Sequence, residues 1–185
     1  MALLPIRVLG DPVLRQVTRP VATVTDELRT LAADMFETMH AARGVGLAAP
    51  QVGRSERMAV IEIEGEQLVI VNPEIIAAEG TLTWEEGCLS IPEVYADVQR
   101  AKLVTVRATG LDGKIFDVDA TELLGVCLQH EIDHLDGKLF LDRLSLFKKR
   151  SAMKDWDAEK VKYPDLVRHV SPNDTHDDRH ADERL

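Results

Sequence analysis

The stretch from residue 119 to 137 constrains this fold more than any other. Leu123, Leu124, Val126, Cys127, Leu128, Ile132 and Leu135 make a broad apolar face in a segment of helical spacing. Set into it is His130-Glu131-Ile132-Asp133-His134, an H-E-x-x-H pattern. Residues four apart on a helix lie on one face, so His130 and His134 can each aim a ring nitrogen at one metal ion. Glu131 then sits beside the ion without binding it. That suits hydrolysis: two imidazoles hold a metal, the metal acidifies a water, and the carboxylate takes the proton. Histidines in such a motif can also merely cap or solvate a surface helix. The apolar setting argues otherwise, because a buried charge needs a partner or a metal. Asp119-Ala120-Thr121-Glu122 reads as a capping signal at the helix start, and Gly137 as its end.

The chain has 185 residues, which suits one domain with a real core. We expect a single catalytic domain over residues 1–170 and an acidic tail over 171–185. The tail has almost no apolar content, so we expect it to be disordered. Its His176 and His180 lack the supporting shell that fixes a metal ligand. No apolar run approaches the roughly 18 residues of a membrane span. The N-terminus lacks the basic start and apolar core of a secretory signal. The formal net charge of −10 argues against direct binding to DNA or any other nucleic acid. Cys88 and Cys127 do not suggest a disulfide framework. With no export signal, the expected compartment is the reducing cytoplasm, where a cysteine is buried, metal-bound or catalytic.

Along the chain, residues 11–17 read as a turn entering a short extended segment. Leu28, Leu31, Met35 and Met39 mark an amphipathic helix over 25–42, with Thr25 or Asp26 near its start. Residues 44–53 are a glycine-rich loop, and strands are expected only after it. Residues 58–62 and 68–71 read as paired strands, the second broken by Asn72-Pro73. Further strands are expected at 81–84, 96–98, 102–109 and 114–118, with a turn at Leu111-Asp112-Gly113. The H-E-x-x-H helix follows these strands, and a third helix runs from about 145 to 161. Helix, strands, then helix implies an α+β fold, with antiparallel or mixed sheets packed around a central metal-binding helix and a C-terminal helix.

A catalytic site of this kind usually has three protein ligands, and H-E-x-x-H supplies two. Downstream, Glu159, Asp155 and Asp157 are candidates for the third. Upstream, Cys88 is preceded by Gly87, which allows close backbone approach, and followed by Ser90-Ile91-Pro92. A small buried thiol at a strand end is the plainer reading of Cys88. Cys127 lies seven residues from His134, about 10 Å along a helix, and reads as packing behind the site.

Three separated motifs then coincide. Gly44-Val45-Gly46-Leu47-Ala48-Ala49-Pro50-Gln51, Glu86-Gly87-Cys88-Leu89-Ser90 and Gln129-His130-Glu131-Ile132-Asp133-His134 resemble, in order and spacing, the signatures of peptide deformylases. Gly10-Asp11-Pro12-Val13-Leu14-Arg15, Asn72-Pro73 and Asp136-Gly137 add to the resemblance, which covers roughly residues 5 to 150. It implies a bacterial-type enzyme that removes the formyl group from N-terminal formylmethionine of new polypeptides, releasing formate. Carried onto this chain, Cys88, His130 and His134 would bind the metal and Glu131 would be the general acid/base. Gln51 and the backbone N–H of Leu89 would hold the oxygen of the tetrahedral intermediate. The resemblance implies ferrous iron as native metal, with zinc, nickel or cobalt also able to bind. Gly44 and Gly46 would let their loop approach the substrate backbone.

Val45, Leu123, Val126 and Cys127 are candidates, by nearness to the motifs, for an apolar pocket around the methionine side chain. Tyr95 and Ala96 occupy a stretch that often carries a basic residue in bacterial members, a departure that bears on peptide docking and not on the metal chemistry. The segment after about 145 resembles the helical C-terminus of Gram-negative-type members, for which a role at the ribosome is a hypothesis. A metalloprotease using Glu159 is the rival reading, and a binding protein that kept an old site is another.

Overall fold

A computed structural model describes residues 2–171 of the chain. Its elements in order are β1 (Ile6–Arg7), α1 (Asp26–Ala41), β2 (Gly46–Ala48), β3 (Met58–Ile63), β4 (Glu66–Glu79), β5 (Leu82–Glu86), β6 (Ala96–Arg100), β7 (Leu103–Thr109), β8 (Ile115–Thr121), α2 (Glu122–Leu135), α3 (Leu146–Glu159) and β9 (Val167–Arg168). Strands β2-β3-β4-β7-β8 form an antiparallel sheet in that order, while β5-β6 and β1-β9 make two small antiparallel sheets. The α+β class and its antiparallel sheets are as the sequence implied. Residues 172–185, with His176 and His180, lie outside the described residues.

Strand β3 shows why the large sheet is covered on both faces. Side chains alternate along a strand. Met58 and Val60 join the core around Leu31, Met35 and Met39 of α1. Ala59 and Ile61 join the core around Val126, Cys127, Leu128 and Ile132 of α2. The unbroken apolar run of β3 is thus that of a strand buried on both sides. A third core joins Cys88, Ile91 and Val94 to Phe140 and to Ala152 and Trp156 of α3.

The structure corrects several expectations. Strand β4 does not stop at Asn72-Pro73 but runs to Glu79, with a register shift between Val71 and Glu74. Proline cannot donate to a ladder, and a bulge is where a sheet tolerates it. Asn72 has φ +51° and its side-chain amide bonds Val21 through both N–H and C=O, each at 2.8 Å. Residues 12–15 form a 3₁₀ turn, begun by Asp11 accepting from the Val13 N–H. The glycine-rich loop already contains β2, followed by a 3₁₀ turn over Ala49–Val52. At the start of α2, Thr121 takes the cap position but its side chain makes no cap bond, and Asp119 lies in β8, accepting from the Thr105 hydroxyl. The helix is held by burial beyond its first turn, since Gly125 through Leu135 are all buried.

Candidate metal centre

Helix α2 brings His130 and His134 onto one buried face, each about 1% exposed. Cys88 follows β5 in a loop pinned by two backbone bonds, Ile91 N–H to Cys88 O and Leu9 N–H to Ser90 O. The loop delivers Cys88 Sγ to 3.2 Å from His134 Nε2, which is 3.2 Å from His130 Nε2. The ligand atoms of Cys88, His130 and His134 all lie within 4.8 Å of one another. Donors held at about 2.0–2.3 Å from one tetrahedral ion stand about 3.5 Å apart, so this spacing fits a shared metal. Neither Glu159 nor Asp155 nor Asp157 belongs to this group. Glu159 pairs instead with Lys162 at the end of α3.

The imidazole of His130 is oriented from behind. Its Nδ1–H donates to Glu86 Oε2 at 2.9 Å, leaving Nε2 to face the cluster. Glu86 takes a fork from Arg100, Nε to Oε1 at 2.7 Å and Nη2 to Oε2 at 2.9 Å. Arg100 Nη1 reaches Asp133 Oδ2 at 2.5 Å, and Arg143 closes the chain with two bonds to Asp133. Burial opposes the charge on Glu86, but Arg100 and His130 outweigh it and hold the carboxyl at about 2. Burial likewise opposes charge on Asp133, and the two arginines still hold it below its ordinary range. For His130, burial works against protonation, yet Cys88 and Glu86 push it well above 6.5. His134 is pushed well below 6.5 by burial and by the neighbouring His130 charge. None of Glu86, Arg100 and Asp133 was singled out as a site residue from sequence. Glu86 and Asp133 lay inside the quoted motifs. Arg100 carried no local signal, because only folding brings β6 against α2.

Glu131 is fully buried, and neither carboxylate oxygen has a hydrogen-bond partner among the described residues. Burial pushes its carboxyl up to about 7. A group with that proton affinity is suited to exchanging protons near neutral pH. The Gly46 backbone passes so close that a Cβ there would strike Glu131 Oε1 and stand 2.8 Å from Cys127 Sγ. Gln51, 1% exposed, is locked by its Oε1, which accepts from the Ala48 N–H at 2.8 Å. Its Nε2 is thereby turned towards Ser90 Oγ at 3.1 Å and Cys88 Sγ at 3.6 Å. Leu89 is buried beside Cys88 and packs against Gly44, where a Cβ would meet its Cδ1 at 2.7 Å.

The four apolar pocket candidates separate. Val45 and Leu123 line an open groove of about 740 Å³ with Ile61, Ile63 and Leu68. Val126 and Cys127 are not on that wall. Both are fully buried against the sheet, with Cys127 Sγ 3.9 Å from Val45 O. Tyr95 packs on Gly87, where a Cβ would stand 2.7 Å from its ring.

Comparison with known proteins agrees with the fold. The sequence profile described as Polypeptide deformylase matches residues 3–150. A peptide deformylase of Alkalilimnicola ehrlichii is 51% identical over 154 residues, covering 81% of this chain and 86% of its own. One from Acinetobacter baumannii is 50% identical over 154 residues, covering 81% and 88%. Among solved structures, a peptide deformylase from Legionella pneumophila superposes with a TM-score of 0.84 at 51% identity, covering 87% of this chain and 97% of that one. One from Synechococcus elongatus, in complex with actinonin, gives 0.80 at 42% identity, covering 83% and 86%. With the family profile matched over residues 3–150, relatives about half identical over most of the chain and the fold shared, this chain belongs to the polypeptide deformylase family.

Proposed function

We propose that this protein removes the formyl group from N-terminal formylmethionine of newly made polypeptides, releasing formate, with Cys88, His130 and His134 holding one divalent metal. The observation that carries this reading is the convergence of one thiol and two imidazoles beside the buried, unpartnered carboxylate of Glu131. We assign ferrous iron as the native metal, with zinc, nickel or cobalt able to take its place. One thiolate and two neutral imidazoles leave a divalent ion net positive, so it would acidify a water and polarise the formyl carbonyl.

The protein's own groups divide the remaining work. Glu131 accepts the proton of the attacking water and returns it to the departing amine. Negative charge growing on the former carbonyl oxygen meets the Nε2–H of Gln51 and the backbone N–H of Leu89. Such donors contribute about 3–4 kcal/mol each to lowering a barrier of this kind. Gln51 is suited to this because its Oε1 is already engaged with the backbone. The methionine side chain enters the apolar groove at Val45 and Leu123, with Gly46 giving the backbone room. Val126 and Cys127 shape that site from behind. The substrate's origin makes the cytoplasm the expected compartment, and no helix of the described residues is long and apolar enough to cross a membrane. We assign the ribosome as a second partner, through α3, whose Leu146 and Phe147 are 88% and 84% exposed. Serine at both positions should then weaken binding to ribosomes, and unchanged binding removes the idea.

The deciding experiment follows formate release from a formyl-Met-Ala-Ser peptide by protein purified without oxygen and loaded with iron or nickel. Release by wild type and none by Cys88→Ala supports a thiolate-held hydrolase. No release at full metal occupancy overturns it. Glu159→Ala should keep both metal and activity, whereas the protease reading requires it to lose both.

A further inference from the structure

The profile of the family ends at residue 150, yet the chain continues and returns to the metal centre. After α3, Tyr163 stacks on Trp156 with ring centroids 6.2 Å apart, and the backbone turns sharply at Leu166, where φ is +58°. Strand β9 then pairs with β1, Arg168 opposite Ile6 and Val167 opposite Arg7. The next two residues of the N-terminal segment link the two ends of this arrangement. Val8 N–H donates to Leu166 O at 3.0 Å, and Leu9 N–H donates to Ser90 O at 2.8 Å. Ser90 lies two residues beyond Cys88. Leu166 and Tyr163 pack in the same core as Cys88, Ile91 and Val94. Gly10, at φ +117°, leaves room for Leu166, whose Cδ2 would stand 3.0 Å from a Cβ there.

Arg168 completes the arrangement. It is only 8% exposed, and it lines a narrow cleft with Cys88, Leu89, Ile91, Pro92, Glu93 and Tyr95. An arginine is rarely so covered unless its charge or its long stem has a structural use. Here it lines the cleft beside the turn that carries Cys88, with Glu93 on the same cleft. We propose that Tyr163–Arg168 is a clasp that holds the Cys88 turn in its ligating position, with Arg168 as a positioning residue. The other two ligands need no such help, because they ride on a buried helix. Cys88 sits on a turn, and turns open locally at lower cost than packed helices.

The idea rests on Cys88 being a metal ligand, so the test separates the two. In metal-free, full-length protein, the rate of alkylation of Cys88 reports the freedom of its turn whether or not any metal is used. Cys127 is fully buried, and a Cys127→Ala background removes it from the readout. Arg168→Ala should raise that rate several-fold, and Arg168→Lys, which keeps the stem and charge, should restore most of it. The exposed Arg107→Ala should leave it unchanged. In cobalt-loaded protein, Arg168→Ala should shorten metal retention against a chelator by about tenfold, the lower end of the effect of supporting groups on metal affinity. The thiolate-to-cobalt absorption band should shift while melting of the metal-free protein stays near wild type. An alkylation rate unmoved by Arg168→Ala overturns the clasp. So does a melting temperature that falls in step with the rate, since that is general loosening. A faster alkylation rate with no thiolate band in any variant keeps the clasp and refutes Cys88 as a ligand.

Discussion

At Gly46 a single missing methyl group keeps the site open. An alanine there would press on Glu131 and Cys127 in a packed interior, where added atoms cost about 1–3 kcal/mol. Gly46→Ala should therefore lower turnover sharply while melting falls by only a few degrees, which calorimetry and a formate assay would show together. Glu131 lies on the other side of that contact. Glu131→Gln keeps the shape and removes the proposed base, so activity should drop by about 10²-fold or more with metal content unchanged. Metal analysis beside kinetics checks this, and a variant as active as wild type would remove Glu131 from the mechanism. The raised carboxyl has a consequence for stability too. In metal-free protein the folded state holds the Glu131 proton up to about pH 7, while the unfolded chain releases it near 4.5. That contribution is complete below 4.5 and is lost as pH rises through 7. Melting of the metal-free protein between those limits should show a downward slope that Glu131→Gln flattens.

Between elements, the chain His130–Glu86–Arg100–Asp133–Arg143 ties β5, β6 and α2 to the turn after it. Arg100 is 5% exposed and Glu86 is fully buried, so removing one partner leaves an uncompensated charge in the interior. Breaking such a pair costs about 3–5 kcal/mol. Arg100→Gln should accordingly lower the melting temperature strongly and weaken metal binding, because Glu86 loses the fork that fixes its bond to His130. Arg143, about half exposed, should matter far less to stability. Equal melting temperatures for Arg100→Gln and Arg143→Gln would show that the network is not what holds these strands and helix together. The bulge in β4 belongs to the same scale. Asn72 fastens it to Val21 by two hydrogen bonds, and the strand continues through Pro73.

For the whole molecule, acid is the condition to which the centre is most exposed. Ionised Glu86 contributes its stability in full above its ordinary value of 4.5 and loses it as pH falls through about 2. Asp133, also held low, acts in the same direction. Unfolding midpoints measured from pH 5 to 2 should drop steeply, and Glu86→Gln should blunt the slope. Removing the metal should lower the melting temperature as well, since any group that binds only the folded state stabilises it by mass action. Restoring cobalt or nickel should reverse that loss.

How much of this was legible in the chain differs from residue to residue. Helix α1 could be read from Leu28, Leu31, Met35 and Met39, and its bounds fall within a residue of expectation, because an amphipathic stripe is a local property. His130, Glu131 and His134 were legible for the same reason, since helical geometry alone puts two histidines four apart on one face. Strands β1 and β9 were not, because two residues cannot display an alternating pattern. Local spacing left Cys88 beside Glu159 as alternatives, and only the likeness to a known family favoured the thiol. What tertiary structure decided is everything that depends on distant segments meeting: Cys88 arriving 3.2 Å from His134, Arg100 reaching Glu86 and Asp133, and Arg168 lining the same cleft as Cys88. A sequence determines which side chains share a face through short-range backbone geometry. Which faces meet is set by burial summed over the whole chain, and no local pattern carries that sum.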